Sequence, residues 1–435
     1  MTLEFSCYAL HNGQWVYCGL TAIIVTLADD EPMISRMLFY LSATFMFLLI
    51  LFGCSAKTTS HDPGEFRNPE KTAADPMIFY KPTSQAVAGE AVDVTSTSTA
   101  STASTREKEA ELLILEDRAD PWIIRDGDRY LWCFTENDLG VALYATDSPM
   151  RLGTKHLIWQ APATGPFSQQ VWAPELHRFG NRWYVYFAAS DGNNATHLAY
   201  VLKSRTDDPL GEYELIGPLD TRGRGGGDFV APASVPVSAA LDTRGRGSDD
   251  DGESAWAIDM TVLEHHGKLY AIWSGWKTHE DIQYLYIAPM SDPATISGPR
   301  VLMCRNDDYL WERTEEREDA KGLNEAPQVL KRGKRTFVSY SCAASWLQTY
   351  KIGLLELVGD DPLNPAHWRK HPQPMLQSAN VPGGRHFGVG HGSFLLDGPE
   401  PMILYHTKRS IRPGWLRDVY IRTFRFDEND FPVFE

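Results

Sequence analysis

The pattern of apolar and polar residues divides the chain into three regions. Residues 38–52 read LFYLSATFMFLLILF and are almost wholly apolar. From there to about residue 110 the chain has no apolar periodicity, and residues 94–105 form the low-complexity stretch VTSTSTASTAST. From Leu112 onward, short apolar runs recur between clusters of turn residues, which is typical of β-strands. The pattern therefore predicts an all-β folded region that follows a segment with little apolar surface to bury.

Within the folded region, one supersecondary unit recurs five times. Each copy has an acidic residue or a histidine near its start, then an apolar strand, a charged or glycine-containing turn, and a second apolar strand, in most copies rich in aromatic residues. The turns read RDGD, RFGN, HHGK, KRGK and LDGP, in which glycine supplies the positive φ that tight hairpins need. The copies are Asp120–Phe134, Ala173–Phe187, Ile258–Trp273, Asn324–Tyr340 and Gly390–His406.

Strand-only units that recur at intervals of roughly 50 to 85 residues are typical of propeller blades. We therefore predict a five-bladed β-propeller over residues 112–435. A two-sheet sandwich is the alternative. It would explain the strands and the turns, but it would not explain five equivalent openings.

The longest interval, between the second and third copies, contains a local duplication. The hexapeptide DTRGRG occurs at 220–225 and again at 242–247, with GGGD and SDDDGES nearby. This composition predicts a solvated loop insertion over residues 219–254. A binding patch built from the arginine pairs is the alternative interpretation.

The apolar run at 38–52 follows Arg36 and gives way at once to polar sequence. It is shorter than the roughly 20 residues of a membrane-spanning helix, and it has the length of a signal-peptide core. It ends in LFGC at 51–54, which resembles a bacterial lipobox. We predict a lipoprotein-type signal peptide over residues 33–53 and lipidation of Cys54. A plain membrane anchor and an ordinary signal peptide are the alternatives.

The segments on either side of the signal peptide complete this prediction. Residues 54–111 are expected to form a disordered Ser/Thr-rich tether that separates the folded domain from the membrane. Residues 1–32 contain acidic side chains that the start of a signal peptide should lack, so we interpret them as a mis-called start or an extension without regular structure. The protein is thus expected to be exported and lipid-anchored to a bacterial membrane, in the periplasm or at the cell surface.

The amino-acid composition argues for some classes of binding partner and against others. A net charge of −16 argues against a nucleic-acid partner, because a phosphate backbone attracts basic surfaces. Thirteen Trp and 18 Tyr suggest contacts with carbohydrate, since sugar rings stack on aromatic faces, although propeller cores also use aromatic residues. The six cysteines include no CxxC pair, which argues against a zinc ribbon or a redox motif.

Acidic residues recur where the predicted blades begin. The first strand of each propeller blade lines the central axis, so these residues should converge on one cavity. Carboxylates in such a cavity are costly to desolvate unless a function or a cation holds them there. Glycoside hydrolysis needs one ionised carboxylate to activate water and one protonated carboxyl group to donate to the leaving oxygen. The residues are Asp120, Glu175, Asp259, Glu325 and His391.

The segments ADPWI, WAPELH, AIDMTV, NEAPQVL and GHGSF, in this order, resemble the motifs of family 43 glycoside hydrolases from about Leu112 to the C-terminus. The resemblance implies a five-bladed propeller that hydrolyses with inversion. It makes Asp120 the general base, Glu325 the general acid, and Asp259 the residue that tunes and orients the acid. His391 matches a histidine near a hydrated ion, which implies a structural Ca²⁺ or Na⁺ on the propeller axis and no organic cofactor. A buried core histidine is the alternative.

Three further segments resemble members of that family that are α-L-arabinofuranosidases: NEAP at 324–327, YSCAASW at 340–346 and GVGHGSF at 388–394. The resemblance implies a plant-type oligo- or polysaccharide substrate and exo action on arabinose side chains, rather than a β-xylosidase or an endo-arabinanase. The chain departs from the pattern at Ala326, where glycine is common, and in the insertion at 219–254. A non-catalytic glycan-binding propeller and an invertase-like hydrolase of different stereochemical course are the rivals.

Further residues are candidates for substrate binding. Trp122, Trp172 and Trp346 are possible stacking platforms for sugar rings, with core packing as the alternative for each. Arg417 resembles an arginine that hydrogen-bonds sugar hydroxyls, with a surface arginine as the alternative. Glu175, at the start of the second blade, completes the predicted substrate-binding set.

Overall fold

The computed structural model describes residues 2–11, 14–23, 111–222, 255–277, 282–315, 317, 319–378 and 386–434. The chain separates into two units, Met1–Thr99 and Ala100–Glu435. The predicted signal peptide, Cys54, the predicted tether before residue 111, and residues 223–254 of the insertion lie outside the described residues. Within the described ranges, no helix has the length and apolar character needed to span a membrane.

The first unit contains a two-stranded antiparallel hairpin. Strand β1 (Thr2–His11) pairs with β2 (Gln14–Ile23), and His11 lies opposite Gln14. The expectation that residues 1–32 lack regular structure therefore does not hold for these two strands. The sequence between them is Asn-Gly, the dipeptide that most favours a two-residue hairpin turn.

The second unit consists of five antiparallel sheets and one short hairpin. Blade 1 contains β4 (Trp122–Asp126), β5 (Arg129–Glu136), β6 (Gly140–Thr146) and β7 (Thr154–Gln160). Blade 2 contains β8 (Gln169–Phe179), β9 (Arg182–Ser190), β10 (Leu198–Ser204) and β11 (Tyr213–Pro218). Blade 3 contains β12 (Ala257–His265), β13 (Lys268–Trp276), β14 (Gln283–Asp292), β15 (Thr295–Ile296) and β16 (Val301–Cys304).

Blade 4 contains β17 (Asn324–Arg332), β18 (Arg335–Cys342), β19 (Lys351–Leu357) and β20 (Trp368–Lys370). Blade 5 contains β21 (Phe387–Leu395), β22 (Met402–Lys408), β23 (Arg417–Thr423) and, as its outer strand, β3 (Leu112–Leu115). The short hairpin pairs β24 (Arg425–Phe426) with β25 (Pro432–Val433). The predicted all-β five-bladed propeller is thus confirmed.

The outer strand of blade 5 comes from the opposite end of the domain. Strand β3 pairs antiparallel with β23, with Leu113 opposite Tyr420 and Leu112 opposite Ile421. The residue before β3, Glu111, lies 2.7 Å through its Oε2 from Nε2 of His386. Because the start of the domain completes its last sheet, the ring is closed by backbone hydrogen bonds, and an exposed strand edge is removed.

The hydrophobic core lies between neighbouring blades. Each of the five large clusters of buried apolar side chains contains residues of two adjacent blades, so the blades pack against one another around a closed ring. Trp132, Trp183 and Trp273 are fully buried in these clusters. This packing accounts for much of the aromatic content, since large flat side chains fill the space between twisted sheets. It also fixes the five inner strands, β4, β8, β12, β17 and β21, around one axis.

Candidate active site

Four of the five inner strands share a backbone irregularity near their first residues. Register shifts interrupt the pairing of β8, β12, β17 and β21. Bulges of this kind redirect side chains and are common beside active sites. At the equivalent position, one residue in each blade has a left-handed backbone: Asp120 (φ 55°), Ala173 (φ 45°), Asp259 (φ 54°), Ala326 (φ 51°) and His391 (φ 49°).

The two predicted glutamates do not occupy this left-handed position. In blades 2 and 4 it is held by Ala173 and Ala326. Glu325 comes one residue before Ala326, and Glu175 comes two residues after Ala173. The five candidate residues therefore do not all occupy the same backbone position in their blades. A bulge adds a residue to one strand, so side chains on either side of it can be turned toward the same cavity.

Asp120 faces nitrogen atoms of blade 5. Its Oδ1 lies 3.1 Å from Nδ1 of His391 and 3.8 Å from Nη1 of Arg417. Its backbone N–H donates to Nδ1 of His406 at 3.2 Å. Burial by itself would raise the pKa of Asp120, but the positive charges of His391 and Arg417 hold it well below its usual range. Asp120 is therefore ionised at neutral pH and can accept a proton from water.

Asp259 and Glu325 are 6% and 7% exposed, and their nearest hydrogen-bond donors carry no charge. Oδ2 of Asp259 accepts the backbone N–H of Ala326 at 3.0 Å. Glu325 accepts the Tyr350 hydroxyl at 2.7 Å and the Gln283 side-chain amide at 3.2 Å. Burial raises the pKa of Asp259 to about 7, to which the charge of Glu325 contributes, and burial also raises the pKa of Glu325. This pair can therefore hold a proton near neutral pH, as a general acid must.

His391 places a positive charge among the three carboxyl groups. Its backbone N–H donates to Oγ of Ser341 at 2.7 Å, which fixes the bulge of β21. Burial by itself would lower the pKa of the ring, but the charge of Asp120 and the hydrogen bond to it, followed by the charges of Asp259 and Glu325, raise this pKa to about 9. A protonated His391 stabilises the ionised form of Asp120.

In the part of the chain that the structure describes, the axial cation predicted near His391 has no evident set of direct side-chain ligands. Nδ1 of His391 is directed at Asp120. Among the described residues, no group of three or more His, Cys, Asp and Glu side chains is arranged to hold an ion. The axial ion stays a prediction of the resemblance.

Three residues beside the carboxyl groups were not singled out from the sequence as site residues: Tyr350, Gln283 and His406. Tyr350 lies just before β19 and Gln283 begins β14, so both come from outside the inner strands, and no motif marks them. His406 ends the fifth repeat, and its pairing with Gly390 places it beside His391. Burial, assisted by the charge of Arg417, lowers the pKa of His406 to about 3 and keeps the ring neutral.

Glu175 lies in the interior and is 2% exposed. Its Oε2 lies 2.9 Å from Nε2 of His177, and its Oε1 accepts the side-chain amide of Gln328. The structure thus places Glu175 in a buried hydrogen-bond network that joins blades 2 and 4. These contacts connect the inner strands of blades 2 and 4, and a contact between Glu175 and a sugar stays a prediction.

The three candidate tryptophans have different surroundings. Trp122 packs between blades 1 and 2, and its Nε1 donates to the carbonyl of Leu176 at 2.8 Å, which matches the core-packing alternative. Trp172 is half-buried, packs against the cluster around Trp256 and Trp276, and stacks on a histidine ring with centroids 4.0 Å apart. Trp346 is 37% exposed. It is therefore the one of the three with a large accessible surface.

The comparisons with known proteins agree with this geometry. Residues 113–432 match the model of glycosyl hydrolases family 43. The chain is 27% identical over 309 residues to an extracellular exo-α-(1→5)-L-arabinofuranosidase of Streptomyces chartreusis, across 68% of this chain and 81% of that protein. It is 30% identical over 324 residues to α-L-arabinofuranosidase 43 of Humicola insolens, across 72% of this chain and 59% of that protein.

A solved structure adds agreement at the level of the fold. The α-L-arabinofuranosidase from Lactobacillus brevis superposes with a TM-score of 0.60 and 26% identity, over 74% of this chain and 96% of that chain. The family match covers well over half of the sequence and includes all five blades. This chain belongs to glycosyl hydrolases family 43.

Proposed function

We propose that this glycoside hydrolase is an exo-acting α-L-arabinofuranosidase that removes arabinose side chains from plant-type polysaccharides with inversion. The observation that carries the proposal is a contrast in surroundings. Asp120 lies beside His391 and Arg417, which lower its pKa, whereas the buried Asp259 and Glu325 accept hydrogen bonds from uncharged donors, and burial raises their pKa values. Inverting hydrolysis needs both protonation states at once. The names of the Streptomyces, Humicola and Lactobacillus relatives support arabinofuranose as the sugar.

In the proposed mechanism, Asp120 accepts a proton from the attacking water. His391 and Arg417 keep it ionised, so it does not need to lose a proton first. Its side chain is 21% exposed, which leaves it accessible to solvent. General-base assistance of this kind is typically worth about 10²–10⁴-fold in rate.

Glu325 donates its proton to the departing glycosidic oxygen. The hydroxyl of Tyr350 and the amide of Gln283 fix the orientation of its carboxyl group. Asp259 is held by the backbone N–H of Ala326. The charge of Glu325 helps to raise the pKa of Asp259, and the charge of Asp120 helps to raise the pKa of Glu325. The proton therefore stays available until the leaving group develops charge.

The test is a side-by-side assay of aryl arabinofuranosides and aryl xylosides, with proton NMR of the first anomer released. We expect hydrolysis of the arabinofuranoside, with the inverted sugar appearing first. Preference for the xyloside would favour the β-xylosidase alternative. A retained first product would contradict inversion, for which the two carboxyl groups should stand about 6.5–9.5 Å apart.

The export and anchoring of the enzyme are part of the proposal. Two Streptomyces relatives are named extracellular, which supports export. The lipobox-like LFGC at 51–54 supports acylation of Cys54. Labelled palmitate should enter the wild type and a Ser55→Ala control but not Cys54→Ala, which should also leave the membrane fraction. Absence of label from the wild type would refute the lipid anchor.

A hydrated Ca²⁺ or Na⁺ on the propeller axis is also proposed, on the resemblance of the segment around His391. Removal of the ion by a chelator or by dialysis should lower the melting temperature, and the original cation should restore it. An unchanged melting temperature after removal of both cations would contradict this part of the proposal.

A further inference from the structure

Two tryptophans that lie apart in the sequence meet at the surface. Trp346 and Trp415 are 37% and 47% exposed, with ring centroids 5.5 Å apart and planes at 48°. Ile411 and Leu416, on the same loop as Trp415, are 58% and 59% exposed. Adjacent large apolar side chains that remain exposed on a folded protein mark a binding surface more often than chance.

The backbone beneath this tryptophan pair is fixed. The N–H of Gly414 donates to the carbonyl of Trp346 at 3.0 Å, so the two loops are joined. Nζ of Lys408, a residue that is 2% exposed, donates to the carbonyls of Arg412 and Gly414 at 2.9 and 2.8 Å. A surface held in this way loses little conformational freedom when a ligand binds.

The pair is also connected to the catalytic groups. The guanidinium carbon of Arg417 lies 5.4 Å from the ring centre of Trp415, and Nη1 of the same arginine lies 3.8 Å from Oδ1 of Asp120. In blade 4, Trp346 comes four residues before Tyr350, whose hydroxyl holds Glu325. The tryptophan pair therefore stands on the two segments that contact the base and the acid, at the border between blades 4 and 5.

We propose that Trp346 and Trp415 form an outer sugar subsite, which stacks on a neutral sugar ring of the chain that carries the arabinosyl unit. The inference rests on the proposed function, because it assumes an oligosaccharide in the axial cavity. A neutral ring suits the site, since an indole face binds the apolar C–H face of a sugar and needs no charge complement. Arg417 joins this subsite to the reaction centre.

The test compares two substrates that differ in the ring beyond the scissile bond. Methyl arabinofuranoside has no ring in its leaving group, whereas a (1→5)-linked arabinotriose has two further rings. In Trp415→Ala and Trp346→Ala, the ratio of kcat/KM for the triose to kcat/KM for the methyl glycoside should fall about three- to tenfold, mainly through KM. Trp415→Phe should retain part of the ratio, because it keeps an aromatic face.

Leu157→Ala is the matched control, since Leu157 is 52% exposed on the outer strand of blade 1, and its ratio should equal that of the wild type. Equal losses on both substrates, or an unchanged ratio in the tryptophan variants, would overturn the subsite. If the wild type cleaves neither substrate, the proposed function fails. Calorimetric titration of wild type and Trp415→Ala with arabinotriose and xylotriose then decides the subsite separately: weaker binding by the variant supports it, and equal binding or none refutes it.

Discussion

The two sides of the site shift the pKa of a carboxyl group in opposite directions. On the blade 5 side, Asp120 meets His391 and Arg417, and its pKa lies well below the usual range. On the side of blades 3 and 4, Asp259 and Glu325 meet a backbone amide, a hydroxyl and a side-chain amide, and burial raises the pKa of each. Burial alone does not separate base from acid here. The direct contact of Asp120 with His391 and the nearby charge of Arg417 do.

The substitution Asp120→Asn tests the ionised side of the site and should have the largest effect. The variant lacks the base, so kcat should fall about 10²–10⁴-fold on an activated aryl arabinofuranoside and on an arabino-oligosaccharide alike, because water must be activated for both. Steady-state kinetics on the two substrates measures the loss. Asp147→Asn, at an exposed aspartate, is the control and should behave as wild type. A loss confined to one substrate would contradict the assigned role.

The substitution Glu325→Gln removes the proposed general acid. Its effect on kcat should depend on the leaving group of the substrate. We expect about 10²–10⁴-fold lower kcat on the arabino-oligosaccharide, whose alkoxide needs a proton. A nitrophenolate departs with little protonation, so the loss on the aryl glycoside should be much smaller. Equal losses on both substrates would exchange or refute the roles of Glu325 and Asp120.

The substitution Asp259→Asn should change the dependence of kcat on pH. Above its pKa of about 7, Asp259 carries a negative charge near Glu325. The neutral amide removes this charge, so the pKa of Glu325 should fall in that pH range. Because the general acid acts in its protonated form, the alkaline limb of the kcat profile should move to lower pH. The acidic limb, which reports the ionisation of Asp120, should move less. A profile shifted to higher pH would show that Asp259 does not raise the pKa of the acid.

The same substitution should have a smaller effect on stability. The pKa of Asp259 is about 7 in the folded chain, above the value of about 3.9 for an exposed aspartate, so the folded state loses stability as pH rises between these values. Asp259→Asn removes this loss and should raise the melting temperature above pH 7, but hardly at pH 4. Each kcal/mol is worth about 2–4 °C in a larger domain. An equal change at both pH values would point to packing instead.

Sequence reasoning located the strands and blades more securely than the contacts of the site. The glycine turns and the intervals between repeats predicted the propeller, because turn conformation and strand alternation are local properties. Four of the turn glycines, Gly127, Gly180, Gly267 and Gly333, have the expected positive φ, and Gly398 of the fifth turn does not. The blade openings also named Asp120, Asp259 and Glu325, which the structure brings together with His391. The roles assigned to these residues stay predictions until the variants are measured.

The surroundings of two candidate residues depend on long-range contacts that the local sequence does not show. Glu175 lies near the start of a blade, as predicted, and its side chain accepts a hydrogen bond from Gln328 of blade 4. Trp122 carries an aromatic ring beside Asp120 in the sequence, yet the ring packs between blades 1 and 2. In both cases the position along the chain was predicted, and the contacts came from another blade.

The sequence by itself determined the number of blades, the beginning of the propeller near Leu112 and the acidic residues at the start of its blades. The tertiary structure decided which carboxyl group is ionised, because the deciding neighbours of Asp120 and Glu325 come from other blades and from loops without a motif. It also decided that β3 closes blade 5, and that Trp346 and Trp415 share one surface. Periodicity records local geometry, whereas the electrostatic potential at a buried group sums charges from every segment that reaches it.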